Sequence, residues 1–116
     1  MTQRTPIRVF VPHLVTKFNP LHGRFTPALN FSDAFRFGEL RLVLDFDYKQ
    51  ENFDTAVEIS KKVLAEATEN DYFIPTGDPA LISICAAEIA KNTGRLNLLR
   101  WDRLNRMYFV ATTEIK

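Results

Sequence analysis

Residues 71–101, DYFIPTGDPALISICAAEIAKNTGRLNLLRW, read as strand, tight turn, helix and strand, and the rest of the chain takes its place around them. Asp78 carries the short oxygen-bearing side chain that accepts bonds from the free N–H groups of a helix's first turn. Pro79 suits the first helical position, whose N–H has no partner in any case. A helix therefore starts here. From Ala80 to Ala90 only Ser83 and Glu88 interrupt the apolar residues, and Gly94 can take the left-handed conformation that closes a helix. A helix apolar most of the way round must be covered on more than one side. The alanines let it lie close to a sheet, so it is expected to be the core helix of a β-α-β unit.

Working outward, Arg95 to Trp101 forms the following strand and Met107 to Thr113, rich in β-branched and aromatic residues, pairs back on it across a turn at Asp102–Arg106. On the amino-terminal side, Glu39 to Asp47 alternates Leu40, Leu42, Leu44 and Phe46 with Arg41, Val43 and Asp45, which is the period of a strand. A second helix begins at Asn52 or Asp54. Phe53, Ala56, Val57, Ser60, Val63, Leu64 and Ala67 give it one apolar stripe, with Glu58, Lys61, Lys62, Glu66 and Glu69 on a solvated face. Residues 6–16 open as a strand, but Pro12 cannot donate to a ladder and points to a sheet edge. Residues 17–38 show no sustained period. Their phenylalanines either pack over the sheet or form a partner-facing apolar patch; Leu21–Arg24 suits a turn, and Ser32 or Asp33 could cap a single helical turn through Phe37.

The expected architecture is α/β: a small mixed sheet in β-β-α-β-α-β-β order, with a parallel centre and an antiparallel C-terminal hairpin. At 116 residues, 46% hydrophobic and 25% charged, one domain over residues 1–116 is expected, with an irregular Phe-rich segment at about 17–38. No segment has the pattern of a signal peptide or membrane span, which predicts a cytoplasmic protein with no membrane partner. The single Cys85 has no disulfide partner, and with only His13 and His22 it makes no zinc site, so it reads as a small buried hydrophobe. The net charge of +1 is unevenly spread. Residues 1–32 hold Arg4, Arg8, Lys17 and Arg24 without an acid, the middle is acidic, and the last third is basic again.

Thr76, Gly77 and Asp78 lie where a strand gives way to a helix, the usual place for a ligand in an open α/β sheet. Gly77 would admit close approach, and the helix start could offer N–H groups to an anion, although Asp78 already occupies them. Neither glycine-rich phosphate signature is present. Asp45, Asp47 and Asp78 could meet at one sheet end around a divalent cation, yet such acids also cap helices and end strands, so no metal and no cofactor is expected. No nucleophile and base are assembled by the sequence, so no catalytic residue is assigned and the balance leans away from an enzyme. Arg100, Trp101, Arg103, Arg106 and Tyr108 interleave cations and rings on the predicted hairpin. That set suits a protein interface, or phosphate and base contacts to nucleic acid, although a charge of +1 is low for the latter.

The pieces DYFIPTGDP (71–79) and GRLNLLRWDR (94–103), with Tyr108 beyond, resemble those of small uncharacterised proteins encoded by tailed bacteriophages, marine ones included. The resemblance spans the C-terminal third to half of the chain. It implies a phage-encoded protein made in the cytoplasm of an infected bacterium and brings no activity with it. The leading expectation is a non-enzymatic binding protein, a phage accessory factor that contacts a host or phage protein. Alternatives are nucleic-acid binding through the Arg/aromatic hairpin and small-molecule or nucleotide binding at Thr76–Asp78. Exposed edge strands would also allow a homodimer by sheet extension.

Overall fold

The computed structural model describes residues 6–27 and 30–115, so Arg4 and Lys116 of the charge pattern lie outside the described residues. Seven strands and two α-helices follow one another as β1 (Arg8–Val11), β2 (Thr16–Asn19), β3 (Arg24–Pro27), β4 (Glu39–Leu42), α1 (Phe53–Leu64), β5 (Tyr72–Phe73), α2 (Pro79–Thr93), β6 (Arg95–Asp102) and β7 (Met107–Glu114). Five of them form one mixed sheet in the order β4-β1-β5-β6-β7, parallel from β4 to β6 and antiparallel at β7. The α/β class, the parallel centre and the antiparallel C-terminal hairpin expected from the sequence are all present.

The first strand is not at an edge. β1 lies between β4 and β5, and its Val9, Phe10 and Val11 are fully buried, as a strand covered on both faces requires. Pro12 falls one residue past the strand, so its missing N–H costs the ladder nothing. Its carbonyl instead accepts from Leu44 N–H at 2.9 Å, while Val11 and Phe10 carbonyls accept from Val43 (2.8 Å) and Ile74 (2.9 Å) on opposite sides. β4 is shorter than its alternation suggested, ending at Leu42.

The winding follows from this order. From β4 the chain crosses by α1 to β5, and from β5 by α2 to β6, both steps in the same direction, so right-handed crossovers put both helices on one face. There Phe10, Phe73, Leu81, Cys85, Ile89, Ala56 and Leu64 form the larger core. The step from β1 to β4 runs the other way and lays its connection on the opposite face. That connection is the irregular Phe-rich segment, which holds an antiparallel hairpin of β2 and β3 around Gly23 (φ 63°) and a 3-10 turn at Ser32–Arg36. Ala34 of this turn is buried with Val9, Val11, Ile74, Leu99 and Tyr108, and Phe31 and Phe37 pack beside them. Phe35 projects from the surface. Five residues of 3-10 helix thus stand where a doubly wound fold would place a full helix.

α2 begins as its sequence dictates: Leu81 N–H donates to the Asp78 carboxylate at 3.2 Å, and Gly94 closes the helix at φ 75°. Leu81, Cys85 and Ile89, four apart, are the buried line between the sheet and α1. Burying each of the two large side chains contributes about 1.5–3 kcal/mol. Burial pushes the Cys85 thiol up to about 11, so it behaves as a buried apolar group. α1 has no side-chain cap from Asn52; a 3-10 turn at Gln50–Asn52 leads into it. Its buried residues Ala56, Ser60 and Leu64 come from the expected stripe.

At the amino end of the sheet Asp71 is buried, with its side chain 1% exposed. It accepts from Arg8 N–H (2.9 Å), the Arg8 guanidinium (3.2 Å) and Thr68 N–H (2.8 Å). This pair ties the start of β1 to the start of β5, two strands far apart in the chain. Among the described residues no helix is long and apolar enough to cross a membrane.

Candidate functional site

The chain leaves β1 toward β4 on one side and later reaches β5 on the other, so the sheet's topological switch point lies between the carboxyl ends of β1 and β5. Open α/β sheets place their ligands at that crevice. His13 follows β1 there and Gly77 and Asp78 follow β5. Asp78 N–H donates to His13 Nε2 at 3.1 Å, which leaves the ring proton on Nδ1. Tyr48 O–H donates to Asp78 Oδ2 at 3.2 Å, and the Tyr48 and His13 rings stand 5.1 Å apart. Burial, followed by the Asp78 charge, raises the Tyr48 phenol above its ordinary pKa. Gly77 has φ 112°, and a Cβ there would meet His13 Nε2 at 2.3 Å. The close approach that Gly77 permits is taken by this imidazole.

The cluster is internally satisfied. Asp78 serves the helix and Tyr48 together, and the acceptor nitrogen of His13 is occupied by a backbone donor. A cavity of 230 Å³ opens beside it, lined by Tyr48, Gln50, Phe53, Asp78 and Ala80. Asp45 and Asp47 do not join Asp78; they line a separate 510 Å³ groove with Leu14, Leu42, Leu44 and Phe46. Among the described residues no three His, Cys, Asp or Glu side chains gather as metal ligands.

Thr76 points elsewhere. It lines a 270 Å³ cavity over the ends of β5 and β6 with Ile74, Pro75, Leu99, Arg100, Trp101 and Tyr108. The turn at Thr76–Asp78 is therefore split between two sites, and its first residue joins the Arg/aromatic hairpin. Trp101 also lines a 440 Å³ cavity with Asn30, Ser32, Asp33, Arg103 and Arg106.

The hairpin end is held by Asp102. Its carboxylate accepts from Leu104 N–H (2.9 Å), Asn105 N–H (3.2 Å) and Asn105 Nδ2 (2.7 Å), an arrangement that closes the turn through the side chain. These hydrogen bonds, led by the Asn105 amide, hold the Asp102 carboxyl below its ordinary pKa. Asp102 is spent on the turn and pairs with neither flanking arginine. Arg106 takes the left-handed conformation at φ 51°.

Trp101 is 41% exposed and packs edge-on against the buried Tyr108, ring centroids 4.9 Å apart. Arg103 and Arg106 are exposed and have no carboxylate partner among the described residues, whereas Arg8 and Arg36 are both paired. Arg100 borders the cavity with Thr76, but its guanidinium lies over the Phe109 ring at 5.5 Å, on the sheet face opposite the Trp101 indole. The five hairpin residues thus divide: Trp101, Arg103 and Arg106 share one cavity wall, Tyr108 supports the indole from below, and Arg100 stands on the other side. Sequence reasoning left His13, Tyr48, Asn30 and Asp33 out of the candidate sites. His13 alone had a usable signal, because it lies two residues past the end of a strand that proves to be central.

The fold and these surfaces define a small three-layered α/β protein with a ligand-type crevice closed by its own side chains and an open cationic, aromatic hairpin end. The chain belongs to the phage Pam3 gp32-like protein family, whose model matches residues 7–115, nearly its whole length. It is a phage protein. No curated protein and no solved structure matches it.

Proposed function

We propose that the protein is a non-enzymatic interaction factor that docks a phage or host protein, made in the same infected cell, at the β6–β7 hairpin end. The observation that carries this is the grouping of Arg103 and Arg106, without acidic partners among the described residues, around the half-exposed Trp101. Trp and Arg are the residues that anchor protein interfaces, and an arginine fork matches a carboxylate in two hydrogen bonds. The partner surface is therefore acidic, with an apolar or flat group set against the indole. The committed hydrogen bonds of His13 and Asp78 support a structural role for the switch-point cluster and add to the case against catalysis.

Arg103→Glu/Arg106→Glu tests the reading. Tagged wild-type protein is expressed during infection and its co-purifying proteins are compared with those of the variant. A specific protein lost from the variant, with the thermal midpoint unchanged, is the expected result. Equal capture by both proteins refutes the site.

A second reading follows from the same indole. A base could stack on Trp101 while Arg103 and Arg106 hold phosphate. Trp101 is the chain's single tryptophan, so its fluorescence reports this site directly. Quenching by a single-stranded oligonucleotide that weakens as salt is added favours nucleic acid over protein.

A further inference from the structure

β7 is the last strand of the sheet, and its outer side is the feature neither the family nor the hairpin end accounts for. In an antiparallel pair alternate residues turn both backbone groups toward the neighbour. Ile115 N–H donates to Gly94 carbonyl at 2.8 Å, in the same register as the rest of β6 and β7. The odd-numbered residues therefore face β6, and Tyr108, Val110, Thr112 and Glu114 turn their N–H and C=O groups outward. At Tyr108 both are taken: the N–H donates to Asp33 Oδ2 at 2.6 Å and the carbonyl accepts from the Arg36 guanidinium at 2.5 Å. Asp33 and Arg36, paired at 3.1 Å, act as a two-residue imitation of a neighbouring strand. Among the described residues nothing takes the outward groups of Val110, Thr112 and Glu114.

Edge strands are normally short or charged to prevent such openings. β4, the other edge, has four residues and carries Glu39 and Arg41. β7 has eight, MYFVATTE, with one charge. Phe109 on it and Ile115 just beyond are 42% and 46% exposed.

We propose that β7 of a second copy of this chain pairs antiparallel with the three open positions about a two-fold axis at Thr112, joining two sheets into one. The occupant is argued from self-complementarity. The Asp33–Arg36 clamp excludes registers that use Tyr108, and filling all three open positions then sets Val110 opposite Glu114 and Thr112 opposite itself. That register puts Phe109 of each copy opposite Ile115 of the other, so the exposed apolar side chains of the edge cover one another. Each open position gains two backbone hydrogen bonds. The two Glu114 carboxylates end about 13 Å apart along the strands, beyond the screening length of about 8 Å at physiological salt.

Sedimentation equilibrium of the wild-type chain over a wide concentration range, together with oxidation of Thr112→Cys, tests this. Opposed residues of such a pair sit about 5.5 Å apart at Cα, within disulfide reach, so Thr112→Cys is expected to form a covalent dimer and Lys61→Cys, on the far side of α1, is not. Cys85 does not compete, being buried. Val110→Pro, which removes one outward donor, and Phe109→Glu, which removes the apolar pair, should each weaken dimerisation at least tenfold. A wild-type mass that stays monomeric at every concentration overturns the proposal. So does a dimer that ignores both substitutions and leaves Thr112→Cys uncrosslinked. If Val110→Pro does not fold by circular dichroism, Phe109→Glu and the cysteine decide.

Discussion

A methyl group on Gly77 would be driven into the imidazole of His13. The Cβ would lie 2.3 Å from Nε2 and 2.7 Å from Cδ2, well inside contact distance, and the backbone at φ 112° is itself strained for any L side chain. Holding alanine there costs about 1–3 kcal/mol. Moving His13 aside orphans the Asp78 N–H, which costs about 1–3 kcal/mol more. Gly77→Ala should therefore lose roughly 2–6 kcal/mol, a fall of roughly 8–24 °C in midpoint for a chain of this size. The two parts separate in a double-mutant cycle. His13→Ala removes the ring atoms that the new methyl would strike, so Gly77→Ala in that background should retain only its backbone strain, about 1–3 kcal/mol. Urea unfolding followed by circular dichroism gives all four free energies. An equal cost of Gly77→Ala with and without His13, or a cost under about 0.5 kcal/mol, would refute the claim that this glycine exists to seat the histidine.

Further outcomes are expected elsewhere in the molecule. Arg8→Met leaves the Asp71 carboxylate buried without its cation and should cost about 3–5 kcal/mol in the same unfolding assay. Leu81→Ala opens a cavity between α2 and the sheet and should cost about 2–5 kcal/mol. Asp33 is held below its ordinary pKa, first by the Tyr108 N–H and then by Arg36, so its folded value lies below its unfolded one. The stability it adds is therefore present above the unfolded pKa of about 3.9 and lost as pH falls through the folded value; Asp33→Asn should abolish that part of the acid dependence. Cys85 should resist a thiol reagent at pH 8 in the folded protein and react at once in urea, with rates read from absorbance.

The local signals in the chain were legible because they act over a few residues. Asp78, Pro79 and Gly94 bound α2 as capping chemistry requires, and Asp102 closes the β6–β7 turn as an Asx residue should. What the sequence hid is topological. Pro12 suggests an edge, but whether it removes a ladder bond depends on where the strand ends, and β1 ends one residue earlier. The pairing of Arg8 with Asp71 joins residues 63 apart, and no spacing rule reaches that far. Likewise the clamp of Asp33 and Arg36 on Tyr108 depends on the 3-10 turn crossing the sheet, which five irregularly spaced phenylalanines could not announce. The candidate sites divided for the same reason. Thr76 lines the cavity with Trp101 and Tyr108 while its neighbour Gly77 lies against the His13 ring, and only the folded sheet sets them apart in this way.

A photo-crosslinking residue placed at Arg103 during infection puts the docking surface to the most direct test, with the same residue at Lys61, on the opposite helix face, as its control. A discrete protein adduct from position 103, absent at position 61 and lost when Arg106 is changed to Glu, is the expected result. No adduct at 103, or the same adducts from both positions, would contradict docking at the hairpin end.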